Sequence, residues 1–98
     1  MLKVWRYPIN DVSGVNNISM PEGAEITGVG VAGHGAVGQE GISLWALVDT
    51  DAELTTRTFV VAGTDVDMTE TLTKYNYKIL GTVQKSNLFA FHVFEILM

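Results

Sequence analysis

The sequence predicts an all-β domain, a mostly antiparallel sandwich or small barrel, and three observations carry that prediction. Runs of strand length rich in Val, Ile, Thr and Phe recur between clusters of Gly, Asn, Asp and Pro. This gives roughly six or seven strands at even spacing. Only Asp65–Tyr75 has room for a helix, of one or two turns at most. The chain has 98 residues, 47% of them hydrophobic, and no cysteine. That fits a single domain over 1–98 which folds on its own core without disulfides.

The elements follow in order. Leu2–Pro8 alternates Leu2, Val4 and Arg6 against Lys3, Trp5 and Tyr7, and Pro8 closes it because proline donates no ladder hydrogen bond. Asn10-Asp11, Ser13-Gly14 and Asn16-Asn17 are turn residues. Ile18-Ser19-Met20 before Pro21-Glu22-Gly23 reads as a short strand and a turn. Ala24–Ala32 is a strand with Ile26 opposed to Val29 and Val31. Six glycines between Gly28 and Gly41 loosen its far end into a flexible loop at 33–41. Ile42–Asp49, with Trp45 inside it, is a buried strand closed by the acidic turn Asp49-Thr50-Asp51.

Leu54–Ala62 has the Thr, Val and Phe content of a half-buried strand. In Asp65–Tyr75, Asp67 or Thr69 is placed to cap a helix and Lys74 suits its C-terminal end. Tyr77–Gln84 and Leu88–Leu97 end the chain, joined by Lys85-Ser86-Asn87 at hairpin length. The expected core is Val4, Ile26, Leu44, Ala46, Val48, Phe59, Val61, Ile79, Val83, Phe91 and Val93. Leu88–Leu97 is apolar on both faces, so it is either a central strand or part of a subunit interface. A homo-oligomer is expected on that ground.

Several chemistries find no anchor. Gly28-Val-Gly30-Val-Ala-Gly33 and Gly33-His-Gly35-Ala-Val-Gly38 fit the glycine pattern of dinucleotide sites. That pattern works by opening a helix, and no helix fits before the next strand. His34 and His92 are the two histidines. A zinc site without cysteine would need both of them plus carboxylates at no recognised spacing, so no metal and no cofactor is expected. Ser43 lacks the Gly-x-Ser-x-Gly elbow of hydrolases, and no catalytic residue is assigned. His92, between Phe91 and Val93, reads as a core or interface histidine with a satisfied ring nitrogen.

Net charge is −5, and the six basic residues are scattered. Duplex nucleic acid and anionic membrane are therefore not expected partners, since both draw affinity from clustered cations. No apolar stretch approaches the roughly 20 residues that span a bilayer. The N-terminus lacks the pattern of a signal peptide, so a cytoplasmic location is expected.

Six blocks in order carry a resemblance: Lys3-Val-Trp-Arg-Tyr-Pro8, Met20-Pro-Glu-Gly-Ala-Glu-Ile26, Leu44-Trp-Ala-Leu-Val-Asp49, Arg57-Thr-Phe-Val-Val-Ala-Gly63-Thr64, Gly81-Thr-Val-Gln84 and His92-Val-Phe-Glu95. Together they resemble an uncharacterised family of proteins of about this length from phages and prophages. The chain departs from the family pattern in three places. It has a glycine-rich insertion before the tryptophan strand, Asp65 where a glycine often follows Gly-Thr, and Ala90-Phe91 where a tryptophan commonly precedes His92.

The resemblance implies a small accessory protein made in the host cytoplasm during infection. It extends to phage sponge proteins that sequester the cyclic oligonucleotide signals of the anti-phage system CBASS. Such a sponge needs a pocket and no catalytic group. Trp5, Tyr7 and Trp45 are the aromatic candidates for base stacking. Arg57, Arg6 and Lys78 are the candidates for phosphate contacts, and His34 in the glycine loop for touching the ligand. Arg57 stands first, because a cation on the face of Phe59 and Val61 is otherwise hard to place. Trp45 is weighed as core as well. The alternative is a non-catalytic interaction module that inhibits or adapts a host or virion protein through a sheet edge or an acidic surface.

Overall fold

The computed structural model describes residues 1–10, 14–32, 41–85 and 89–97. The expected glycine loop apart from Gly41, with His34 in it, lies outside the described residues, as do Asp11, Ser13 and Ser86 to Leu88. The described chain forms β1 (Leu2–Ile9), β2 (Val15–Pro21), β3 (Glu25–Ala32), β4 (Gly41–Asp49), β5 (Leu54–Gly63), α1 (Thr69–Lys74), β6 (Asn76–Gln84) and β7 (Ala90–Leu97). Two antiparallel sheets result, one ordered β1-β4-β3 and the other β2-β5-β7-β6. Of the two architectures expected, the sandwich is the one formed, and the single short helix is in its expected place.

The core lies between the sheets. Ile42, Leu44, Ala46 and Val48 on one face of β4 pack in the same cluster as Phe59, Val61, Val83 and Val93 of the opposing sheet. Burying one such side chain contributes about 1.5–3 kcal/mol. Ile9, Met20 and Ala24 join them, while Ile26 and Phe91 are partly buried against the cluster.

Two expected core residues are on the outside instead. Val4 is 56% exposed and Ile79 is 68% exposed. In β1 the inward phase is Trp5, Tyr7 and Ile9, which stand opposite Ala46, Leu44 and Ile42, and this turns Val4 outward. In β6 the register shifts between Ile79 and Gly81. Leu80 and Val83 then face the core while Ile79 stands opposite Phe94 on the outer face. A similar bulge at Thr27 between Ile26 and Gly28 puts Ile26, Val29 and Val31 on one face of β3, where simple alternation opposed them.

The edges of the two sheets meet where β3 approaches β6. A Cβ added at Gly81, whose φ is +152°, would lie 3.0 Å from Val29 Cγ2, so only glycine allows both the backbone angle and this close approach. β7 is an inner strand, between β5 and β6. One of its faces meets the core at Val93, and Ile96 on the other face is buried beside a cavity of about 210 Å³ that Thr71 and Tyr75 also line. Its inner position is the first of the two places expected for a strand apolar on both faces.

The helix begins with Asp67, whose carboxylate accepts the Thr69 N–H at 2.9 Å and the Thr69 hydroxyl at 2.7 Å. Those bonds, the hydroxyl first, hold the Asp67 carboxyl below its ordinary pKa. The cap position itself is Met68, one residue from either expected cap. No helix among the described residues is long and apolar enough to cross a membrane.

Candidate functional site

Alternation along β4 decides what reaches the outer face of the three-stranded sheet. With Leu44, Ala46 and Val48 turned into the core, Ser43 and Trp45 point the other way. Arg6 of β1 is the direct cross-strand neighbour of Trp45, and on its other side Trp45 stands opposite Gly28 of β3. Gly28 and Gly30 offer no side chain, and the indole extends over Gly30. A Cβ built on Gly30 would lie 3.4 Å from Trp45 Cζ3 and 3.8 Å from Cη2.

Arg6 Nη1 donates a long hydrogen bond to Ser43 Oγ at 3.4 Å. Ser43 is 1% exposed although it sits on the side away from the core. Cation, hydroxyl and half-buried indole therefore share one surface over a glycine floor. Chemically this is a place for a flat group to stack and for an anion to meet a guanidinium.

Of the residues singled out in the sequence, Arg6 and Trp45 meet here. The others do not. Trp5 and Tyr7 belong to the same strand as Arg6 but to its core-facing side, opposite Ala46 and Leu44. Burial pushes the Tyr7 phenol above its ordinary pKa, and its hydroxyl is buried without a hydrogen-bond partner. Lys78 is exposed on β6, the edge of the other sheet. His34 lies outside the described residues.

Arg57 is placed between the sheets. Its Nε donates to Glu95 Oε2 at 2.6 Å and its Nη2 to Glu95 Oε1 at 2.7 Å. Nη1 donates to the backbone carbonyl of Ala24. The guanidinium also stands 6.0 Å from the centre of the Phe59 ring. Glu95 is buried, its side chain 6% exposed. A bidentate pair of this kind neutralises a carboxylate that burial would otherwise penalise. Arg57 joins β5 and β7 of one sheet to the turn that leads into β3 of the other, so its cation is engaged within the fold and not turned toward a phosphate.

His92 is held between two hydroxyls, Thr64 Oγ1 at 2.9 Å from Nε2 and Thr82 Oγ1 at 3.0 Å from Nδ1. Both ring nitrogens are satisfied, as expected, but His92 is only half-buried, on the face of β7 away from Val93 and outside the core cluster. No group of three or more His, Cys, Asp or Glu is arranged to hold a metal among the described residues.

Sequence reasoning named Trp45 as a stacking candidate but read Ser43 only as a nucleophile without its elbow. The phase that makes Leu44, Ala46 and Val48 core makes both of these neighbours outward facing. Gly30 of β3, read in the sequence as part of a dinucleotide-like pattern and of a loosening strand, is the floor over which Trp45 lies.

The chain belongs to a family described as "Domain of unknown function (DUF7352)", whose model matches residues 1–97. No curated protein matches it, and no solved structure does.

Proposed function

We propose that this is a phage-encoded accessory protein that binds and sequesters a small anionic nucleotide of the cyclic oligonucleotide class without cleaving it. The observation that supports this reading best is the outer face of the three-stranded sheet, where Trp45 lies over Gly30 and Arg6 is its cross-strand neighbour. Base stacking on an aromatic side chain contributes about 1–3 kcal/mol. A guanidinium contact to phosphate adds about 1.5–3 kcal/mol. Arg57 is withdrawn from the ligand set by its engagement with Glu95, and Arg6 takes its place as the first phosphate contact.

The test is a thermal-shift screen against cyclic di- and trinucleotides, because a ligand that binds only the folded state raises the melting temperature. The expected result is a shift with one class of nucleotide that is recovered intact, and a clear loss of affinity in Arg6→Ala. Absence of any shift or calorimetric heat across the panel overturns the reading.

A second reading, a non-catalytic interaction module, is favoured by a separate observation. Among the described residues β1 has a strand partner on one side only, and residues 2–6 are all exposed.

A further inference from the structure

We infer that the free edge of β1 is a docking strand for an extended acidic segment of a partner protein. This rests on the interaction-module reading and names its partner chemistry.

The backbone phase of β1 comes from two facts. The Met1 carbonyl accepts the Thr50 N–H at 2.9 Å, which directs the polar groups of odd-numbered residues toward β4. Pro8 has no N–H and sits within β1 opposite Ser43. Proline is accommodated in a strand where its nitrogen faces away from the neighbour. With a period of two, Leu2, Val4 and Arg6 present their N–H and C=O groups to the free side.

The other sheet edges are less open. β3 and β6 approach each other at Gly81 and Val29, and each carries a register shift. β2 has an unbroken register, but Asn16, Met20 and Pro21 in it are buried. β1 pairs with β4 in unbroken register from Leu2 to Ile9, and residues 2–6 on it are exposed.

Charge decides the occupant. β1 carries Lys3 and Arg6 and no carboxylate, in a chain of net charge −5. Pairing with β1 of a second copy would bring two cations from each strand onto one ladder, which like charges disfavour. An acidic strand meets the opposite condition. Lys3 and Arg6 have opposite parity, so one cation flanks each face of the added strand. The complementary segment carries two acidic residues three positions apart, with β-branched or apolar residues between them.

The experiment uses two labelled synthetic peptides, Thr-Glu-Val-Thr-Glu-Val-Thr and its counterpart with Lys in place of Glu, titrated by fluorescence polarisation. The parent should bind the acidic peptide at least roughly tenfold more tightly than the basic one. Val4→Pro removes an N–H that faces the free side. Binding should fall by about tenfold or more while the circular dichroism spectrum and melting temperature stay near those of the parent. The double variant Lys3→Glu, Arg6→Glu should reverse the preference, and it serves as the test if Val4→Pro does not fold.

Equal binding of both peptides, no binding of either, or undiminished binding by folded Val4→Pro overturns the proposal. So does a dimer in light scattering that Val4→Pro abolishes, since the occupant would then be a second copy. A natural protein partner that binds the parent and Val4→Pro alike removes β1 from the reading but leaves the interaction module standing. Failure of both the peptides and any natural partner removes the module as well.

Discussion

The seam between the sheets and the outer face of the three-stranded sheet each hold an arginine and a glycine against a large side chain, and they use them differently. In the seam, Arg57 is locked by Glu95 and the Ala24 carbonyl, and Gly81 lets β6 approach Val29. On the outer face, Arg6 is exposed and makes a long bond to Ser43, and Gly30 leaves room for an indole. Residue type is the same in both places; burial is what separates the two cations.

The largest effect should separate the two arginines. Arg57→Ala leaves Glu95 buried without its cation and should cost about 3–5 kcal/mol, a large part of the roughly 5–15 kcal/mol that holds a domain folded. Arg6→Ala should change stability by less than about 1 kcal/mol. Urea titration of both variants checks this, and the paired change Arg57→Met with Glu95→Leu should restore much of the loss. Equal midpoints for the two single variants would erase the distinction.

The glycines give the next contrast. Gly81→Ala meets both an unfavourable φ and the Val29 methyl, and should cost about 1–3 kcal/mol. In Gly30→Ala the added methyl meets only the indole at ordinary contact distance, so the loss should stay below about 1 kcal/mol while the tryptophan fluorescence shifts. A similar fall in melting temperature for both would show that β3 and β6 do not meet as described.

Smaller effects sharpen the picture at single positions. Tyr7→Phe deletes a buried hydroxyl that has no partner, and stability should hold or rise slightly. Asp65 is the described non-glycine residue with positive φ, at +70°. Asp65→Gly should stabilise by a few tenths of a kcal/mol. Thermal melts of both variants beside the parent read these changes.

The smallest effect is a dependence on pH. The Asp51 N–H, then the Met1 amino group, hold the Asp49 carboxyl below its ordinary pKa, and Asp67 is lowered by Thr69. Stability from these groups is present above the ordinary aspartate value of about 4 and is lost as pH falls through their lowered values. Both carboxylates are on the surface, so melts between neutral and acidic pH should show a shallow decline on the acid side. Asp49→Asn together with Asp67→Asn should flatten it.

The sequence made the strands and most of the core legible because alternation is local. Leu44, Ala46, Val48, Phe59, Val61, Val83 and Val93 follow from phase alone. Val4 was misplaced because ending β1 at Pro8 left out Ile9, the residue that declares which phase faces inward. Ile79 and the Ile26 to Val29 relation were obscured by bulges, and a bulge depends on the partner strand, which local pattern does not contain. The site was less legible for a related reason. Arg57 looked unplaced among Thr and Val because Glu95, far along the chain, is the residue that explains it. Trp45 was one of three stacking candidates, and strand parity is what separates it from Trp5 and Tyr7, which stand opposite Ala46 and Leu44.

The strand order also has a kinetic consequence. Only β3 with β4, and β6 with β7, pair as sequence neighbours, whereas β1 waits for β4 and β2 waits for β5. Two local hairpins can form early, and the N-terminal strands close long loops onto them at greater entropic cost. During synthesis β1 and β2 have no partner until β4 and β5 have been made. β1, which has a strand partner on one side only among the described residues, is thus exposed well before β4 reaches it, and its two cations guard it against wrong pairing before there is a sheet to join.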